Sequence, residues 1–219
     1  VFVVSHTHWD REWYLTKSQF QMMNVDMMQQ LLSILTEHPE FPSFMLDGQL
    51  IALEDYLSVC PDEKMRVEEL VRKGRLAIGP WYVLPDEYLA SGEAHIRNYM
   101  EGMRVARAHG GGMRLGYLPD SFGHPSQMPQ IMRGLGMEEM IFWRGPGPEV
   151  RHAEFDWVGK DGSTILALNM VYGYSNAANL KEDGQIRERR LTHEIDKLKQ
   201  LSQLRLVLLM NGSDHIAPD

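Results

Sequence analysis

Short apolar runs alternate with amphipathic stretches along the whole chain, and no other feature of the sequence constrains the fold as strongly. The apolar runs predict seven strands, at residues 1–4, 44–46, 75–79, 114–118, 140–143, 164–170 and 204–210. Apolar residues at three- and four-residue spacing, with cap residues at the ends, predict helices at 18–37, 62–73, 91–109 and 181–200. In the last of these helices we expect Ile186, Ile195 and Leu198 to face inward. The alternation is typical of an α/β fold with a mainly parallel sheet and helices outside it, either open or closed into a barrel.

The composition limits the classes of function. A chain of 219 residues is long enough for one α/β domain with a substantial core. Its formal charge of −8 argues against a nucleic-acid or anionic-membrane partner, and no run of about 18 apolar residues would cross a membrane. The single Cys60 excludes an intramolecular disulfide framework and favours a reducing compartment, so we expect a cytoplasmic protein. The oligomeric state stays open, with a homo-oligomer as one alternative.

Chemically active side chains follow the predicted strands at the points where the strands end. These segments are SHTHWD (5–10), DGQ (47–49), PWYVLPDE (80–87), PDSFGH (119–124), RGPG (144–147), VYGYS (171–175) and NGSDH (211–215). Each of them taken alone could be an ordinary polar turn. Because ligands of parallel α/β folds bind at the carboxyl ends of the strands, the series predicts one functional rim.

The first strand end suits a divalent metal. Alternate side chains of an extended chain share a face, so His6, His8 and Asp10 would point the same way. Imidazole and carboxylate are common ligands of such ions, although a polar loop with histidines bonded to backbone explains the pattern equally well. Asp120 at the fourth strand end is placed to supply a third ligand, and its alternative role is that of a turn residue.

The last strand end adds a second carboxylate, Asp214, to the same rim. Its alternative role is the N-cap of a following helix. Six aromatic residues lie in or next to the same strand-end segments: Trp13, Trp81, Tyr82, Trp143, Tyr172 and Tyr174. Most glycoside hydrolases use a pair of carboxylates for catalysis. Sugar rings stack on aromatic side chains, although a single aromatic residue is more often part of a core. The pattern therefore favours a carbohydrate site.

Five motifs in order resemble glycoside hydrolase family 38, the zinc-dependent retaining α-mannosidases. They are HTHWDREW (6–13), GPWYVLPDEY (79–88), GYLPDSFGH (116–124), FWRGPG (142–147) and NGSDH (211–215). The details are most similar to the bacterial branch that includes mannosylglycerate hydrolases. The resemblance covers essentially the whole chain and implies that residues 1–219 are an incomplete N-terminal catalytic domain with a distorted seven-stranded β/α barrel. The family's C-terminal domains would lie outside this chain.

The resemblance also implies the catalytic groups. It implies one Zn²⁺ ion, held by His8, Asp10 and Asp120. Asp120 would in addition be the nucleophile, and Asp214 would be the acid/base that protonates the leaving oxygen. The implied substrate is a terminal α-mannoside, cleaved through a glycosyl-enzyme intermediate.

Three further residues match family positions that bind the sugar. Trp13 corresponds to an aromatic residue under the mannose ring, while Arg144 and Tyr174 correspond to residues beside the nucleophile. Ser175 departs from the pattern, since many members carry Asp after that tyrosine. The sequence leaves the linkage and the leaving group open.

The fourth zinc ligand of the family is a histidine from a later segment, and no motif in this chain matches it. His215 is a substitute on chemical grounds, but we expect the ligand beyond Asp219 in a longer protein. His6 is expected to lie next to the metal ligands without binding the ion itself. Two alternatives to a mannosidase stay open: a zinc-dependent polysaccharide deacetylase, which also uses H-x-D ligands, and a fragment that binds mannosides without cutting them.

Overall fold

The computed structural model describes residues 1–180 and 183–218. Its strands are β1 (Phe2–Thr7), β2 (Phe44–Leu46), β3 (Leu76–Ala77), β4 (Gly116–Leu118), β5 (Glu139–Phe142), β6 (Glu154–Val158), β7 (Thr164–Asn169) and β8 (Leu208–Asn211). Its helices are α1 (Lys17–Glu37), α2 (Ile51–Val59), α3 (Lys64–Arg72), α4 (Gly92–Ala108), α5 (Met128–Gly134) and α6 (Gly184–Leu201). Short 3₁₀ turns span Pro61–Glu63 and Glu87–Leu89. No helix among these described residues is long and apolar enough to cross a membrane.

The strands form two four-stranded sheets, in the orders β3-β2-β1-β8 and β4-β5-β7-β6. All neighbours are parallel except β6 and β7, which are antiparallel. The predicted α/β class is thus confirmed. A seven-stranded barrel is not confirmed, since the described residues form eight strands in two sheets.

Side-chain hydrogen bonds occupy the places where the two sheets meet. Asn176 donates to the carbonyl of Leu208 and accepts from the amide of Met210, so it covers the free edge of β8. In the other sheet, the Trp81 indole donates to the carbonyl of Tyr117, the middle residue of β4. These bonds satisfy edge groups that would otherwise pair with a further strand.

Both sheets nevertheless share one apolar interior. Side chains from both sheets form a single cluster around Met45, Tyr117, Met170, Tyr174 and Met210. The helices pack outside the sheets, and α1 buries Phe20, Met27, Leu31 and Leu35 as its spacing predicts. Because the strands share this interior, their carboxyl ends come together, as the site geometry below shows.

The helix boundaries follow the sequence closely, with one correction and two omissions. Ser91 caps α4 as expected, since its hydroxyl accepts from the amide of Ala94. The expectation that Ile186 faces inward is wrong, because this residue lies in the first turn of α6 and is 59% exposed, whereas Leu198 is buried. Residues 181 and 182, placed in that helix by the sequence, lie outside the described part of the chain. Helices α2 and α5 were not predicted.

Candidate active site

His8 lies at the centre of the predicted rim, directly after β1, and is buried. Its Nδ1 atom is 3.0 Å from a carboxylate oxygen of Asp47. Asp47 is fully buried and also accepts hydrogen bonds from the Trp9 amide and the Gln49 side chain, each at 2.7 Å. A carboxylate with only acceptor sites requires the ring nitrogen to donate, so His8 turns its Nε2 atom to the opposite side. Sequence reasoning missed this role of Asp47, because the segment DGQ (47–49) was recognised only as a polar strand end.

The Nε2 atom of His8 faces two carboxylates. It is 3.8 Å from an oxygen of Asp10 and 4.0 Å from an oxygen of Asp120, and it is buried without a hydrogen-bond partner. Burial lowers the pKa of His8, but the surrounding carboxylates, with Asp47 first, outweigh burial and raise it to about 9. Two carboxylates and one imidazole nitrogen are a donor set that Zn²⁺ accepts.

The three predicted ligands therefore converge but stand slightly too far apart for an ion. Ligands on a tetrahedral zinc with bonds of about 2.0–2.2 Å are roughly 3.3–3.6 Å from one another. The distances from His8 to Asp10 and Asp120 exceed this by a few tenths of an ångström. Within the described part of the chain no group of three or more such side chains has the geometry of a formed metal site. The zinc assignment thus stays a prediction that the donor chemistry fits.

His215 lies beside Asp10, and its Nε2 atom is 3.5 Å from the carboxylate oxygen that also faces His8. Its Nε2 atom accepts a hydrogen bond from the Asp10 amide at 3.1 Å, and its Nδ1 atom is 3.2 Å from the hydroxyl of Tyr14. Burial lowers the pKa of His215, which keeps the ring neutral. To bind a metal, His215 would have to give up its bond to the Asp10 amide.

Asp120 is held by Arg144. The guanidinium Nε of Arg144 donates to one carboxylate oxygen of Asp120, while the other oxygen faces His8. The guanidinium also stacks between two rings, 3.9 Å from the centre of Trp143 and 4.7 Å from that of Phe122. Such cation–π contacts restrict the orientation of the arginine. Arg144 and Asp120 come from neighbouring strand ends, after β5 and β4.

Asp214 reaches the same place by strand pairing. Beyond β8 the chain stays parallel to β1, so that Asp214 forms an isolated bridge with His8. Tyr174 donates its hydroxyl hydrogen to Asp214 at 2.9 Å, and its ring lies 4.9 Å from that of His8. Burial, then the charge of Asp120, then the bond to Asp214 raise the pKa of Tyr174, so this residue stays a donor.

The remaining predicted residues lie at the margin. Trp13 is 64% exposed, with its ring centre 6.2 Å from that of His215. His6 is buried and bonds through Nε2 to the Tyr174 carbonyl at 2.7 Å, so it supports that segment directly. A cavity of about 190 Å³ opens above the centre. It is lined by His8, Asp10, Leu84, Pro85, Asp86, Pro119, Asp120, Ser121 and Phe122. Trp13 does not line this cavity.

Residues 1–218 match the family described as the N-terminal domain of glycosyl hydrolases family 38. The chain belongs to this family. A family 38 assignment agrees with the resemblance that the five motifs carry, and it makes the chain a member of a group of glycoside hydrolases.

Two protein sequences and one solved structure describe the similarity further. The chain is 33% identical to a provisionally named mannosylglycerate hydrolase of Halalkalibacterium halodurans, over 97% of this chain and 25% of that protein. It is 29% identical to human alpha-mannosidase 2C1, over 76% of this chain and 16% of that protein. The crystal structure of an alpha-mannosidase from Enterococcus faecalis V583 superimposes with a TM-score of 0.95 at 35% identity, over 99% of this chain and 25% of that one. The family 38 chain thus spans about a quarter of the length of the Halalkalibacterium halodurans and Enterococcus faecalis proteins.

Proposed function

We propose that this family 38 chain is the catalytic region of a retaining α-mannosidase, with Asp120 as nucleophile and Asp214 as acid/base. The observation that carries the proposal is the position of Tyr174. Its hydroxyl bonds to Asp214 at 2.9 Å and is near enough to Asp120 for that charge to raise its pKa. A retaining glycosidase needs two carboxylates close together. Here one tyrosine bonds to Asp214 and lies near Asp120, which lines the cavity.

Asp120 is oriented for attack. Arg144 occupies one of its oxygens, and the second oxygen faces the cavity beside His8. In the first step the carboxylate of Asp120 forms a bond to the anomeric carbon of the mannose while the bond to the leaving oxygen breaks. The product is an ester between the sugar and Asp120, which water cleaves in the second step.

Asp214 supplies and recovers the proton. Tyr174 donates to one of its oxygens, which leaves the other oxygen to carry a proton to the leaving group. The same carboxylate then takes a proton from the incoming water, and the enzyme returns to its starting state. Because Tyr174 stays protonated, it orients Asp214 in both steps without exchanging a proton itself.

His8, Asp10 and Asp120 are proposed to hold a Zn²⁺ ion. The buried Nε2 atom of His8, which has no partner, is the observation that fits this group. When bound, the ion would supply a positive charge that binds sugar hydroxyls next to the anomeric carbon. A further ligand is proposed to come from a part of the protein outside this chain, since His215 is already bonded to the Asp10 amide. The two sheets are proposed to be the halves of a distorted barrel, because they share one apolar interior.

The stereochemistry of the first product tests the proposal. The intact protein that carries this chain is given an aryl α-mannoside, and the anomer released first is read by proton NMR before mutarotation. We expect the α anomer, which corresponds to retention, and no product from Asp120→Ala. Release of the β anomer would contradict a nucleophilic Asp120.

The same preparation separates the two alternatives. A polysaccharide deacetylase would leave the mannoside intact and would release acetate from an acetylated oligosaccharide. A protein that only binds mannosides would release neither product but would still bind α-methyl mannoside in a titration. Mannose transfer to water without acetate release supports the mannosidase alone.

A further inference from the structure

A buried carboxylate and histidine lie next to the proposed site without taking part in its chemistry. Glu87 begins the 3₁₀ turn Glu87–Leu89 and its side chain is fully buried. Its carboxylate is 2.7 Å from Nδ1 of His124, whose side chain is only 6% exposed. Burying an ionisable side chain raises the free energy of the folded state unless the group is paired. Glu87 and His124 are such a pair.

The second nitrogen of His124 determines the direction of the bonds. Nε2 is 2.9 Å from the backbone carbonyl of Arg144, and a carbonyl can only accept. His124 therefore carries a hydrogen on Nε2 and donates it to Arg144. Nδ1 and Glu87 then share the one remaining proton, and their bond is satisfied whichever of the two holds it.

Arg144 is consequently held at both ends. Its carbonyl accepts from His124, and its guanidinium donates to Asp120. The next residue, Gly145, has φ +91°, and a Cβ there would come within 3.0 Å of the Gly123 backbone and 3.3 Å of the His124 ring. The loop that carries Arg144 is therefore packed closely against the loop that carries Asp120. Gly145 lies against the backbone of Gly123, and His124 bonds to the backbone of Arg144.

The segment around Glu87 is hydrogen-bonded to the loop that follows Asp120. The Ser121 hydroxyl donates to the Pro85 carbonyl at 2.6 Å, and the Tyr88 hydroxyl donates to the His124 carbonyl at 3.2 Å. The segment around Glu87 is thus fixed to the loop after Asp120 at three points. Rigid support of this kind is what holds a catalytic group within a fraction of an ångström of its working position.

We propose that Glu87 and His124 are a positioning pair that sets the orientation of Arg144 toward Asp120. This inference rests on the proposed function, in which Asp120 is the nucleophile. His124 does not touch the substrate in this account. It acts on the reaction through the Arg144 backbone, and Glu87 acts by fixing the ring of His124.

Two substitutions at His124 separate its bonds. An asparagine amide reaches about as far as Nδ1 and keeps a bond to Glu87, whereas a glutamine amide reaches about as far as Nε2 and keeps the bond to Arg144. In the intact enzyme, His124→Asn is expected to lower kcat about 10²-fold, the loss typical of a misplacement of about 1 Å. His124→Gln is expected to retain kcat within about fivefold of the wild type, because it keeps the bond to Arg144 that sets the geometry.

His109 provides a control. It is also buried, at the end of α4, and its Nδ1 atom lies 3.9 Å from Glu68. His109→Asn is expected to lower the thermal stability but to change kcat less than about threefold, since it leaves Glu87, His124 and Arg144 in place. Equal losses of kcat in His109→Asn and His124→Asn would overturn the inference.

A double-mutant cycle identifies the route of the effect. Once Arg144→Lys has removed the oriented guanidinium, adding His124→Asn should cost less than about threefold more, because both changes remove the same arrangement. Losses that multiply would show that His124 acts independently of Arg144 and would overturn the pair.

A crystal structure of the intact His124→Asn variant shows whether His124 orients Arg144, and this test does not need an active enzyme. The inference requires that Arg144 leaves Asp120, and an unchanged ion pair overturns it. If the wild-type protein cleaves no mannoside, the proposed function fails. The distance from the Arg144 guanidinium to Asp120 in this variant then decides whether His124 positions Arg144.

Discussion

His8 donates its Nδ1 hydrogen to Asp47 across 3.0 Å, and this bond directs the Nε2 atom of the same ring toward Asp10 and Asp120. Carboxylates in this position fix the tautomer and the orientation of metal-binding histidines. Asp47 is itself held by the Trp9 amide and the Gln49 side chain, so the ring has little freedom to turn.

Asp47→Asn is expected to weaken zinc binding by about 10–100-fold. An asparagine has one oxygen instead of two, so it cannot accept from all three donors that Asp47 satisfies. The dissociation constant is measured in the intact protein by competition with a chromophoric chelator. Asp161→Asn is the control, because Asp161 is exposed and bonds to Ser163. Unchanged affinity in Asp47→Asn would show that this carboxylate does not position His8.

Zinc affinity is expected to rise with pH between pH 6 and pH 8. The pKa of His8 is raised to about 9 in the metal-free protein, so below pH 9 a proton must leave Nε2 before a metal can bind. The affinity should therefore fall by about tenfold for each pH unit below 9, with about one proton released per ion at pH 7. Calorimetry in buffers of different ionisation enthalpy counts the protons. Binding without proton release would contradict a role for His8 as ligand.

The positions of the site residues could be predicted largely because they follow strand ends. Asp120 and Asp214 are 94 positions apart in the sequence, yet parallel strands bring both to the same rim beside His8. Asp47 was missed although it also follows a strand. Its role depends on bonds to residues 38 and 39 positions away, and no local spacing encodes such partners.

The fold was predictable to the level of its class. Strand β6 was missed because Glu154–Val158 alternates charged and aromatic residues and lacks an apolar run. It pairs antiparallel with β7, which changes the strand count of the second sheet. The edge of β8 bonds to the Asn176 side chain rather than to a further strand, and such bonds cannot be read from residue patterns.

Gly102→Ala is expected to destabilise the domain by about 2–3 kcal/mol, the cost of overpacking. A Cβ at this position in α4 would clash with the backbone of Pro80 and Trp81, which neither residue can relieve by rotating a side chain. Gly92→Ala in the same helix is the control, since its Cβ would meet nothing closer than 3.7 Å and should leave stability unchanged or up to about 1 kcal/mol higher. The thermal midpoint of both variants is compared with the wild type. Equal midpoints would contradict a close contact between α4 and residues 80–82.

Asp120→Ala and Asp214→Ala are expected to differ on activated substrates. Asp120→Ala should abolish cleavage of every mannoside, because the nucleophile is lost. Asp214→Ala should still cleave a dinitrophenyl mannoside in the first step, since that leaving group departs without a proton. It should lose about 10²–10⁴-fold on alkyl mannosides, the usual contribution of a general acid.

Azide provides the check on the second step of Asp214→Ala. Azide ions need no general base, so they should speed the release of the sugar from Asp120 and give a mannosyl azide of retained configuration. The rate with dinitrophenyl mannoside is measured with and without azide. Equal losses on both substrates, without rescue, would mean that Asp214 only supports the turn after β8.

Covalent labelling identifies the nucleophile by mass. The intact protein is incubated with a fluorinated mannosyl fluoride, whose glycosyl-enzyme hydrolyses slowly, and is then digested and analysed by tandem mass spectrometry. We expect one added sugar on the peptide that contains Asp120, and no label in Asp120→Ala. A label on another carboxylate would contradict Asp120 as the nucleophile. Fluoride release by the intact protein without any covalent sugar would contradict it too.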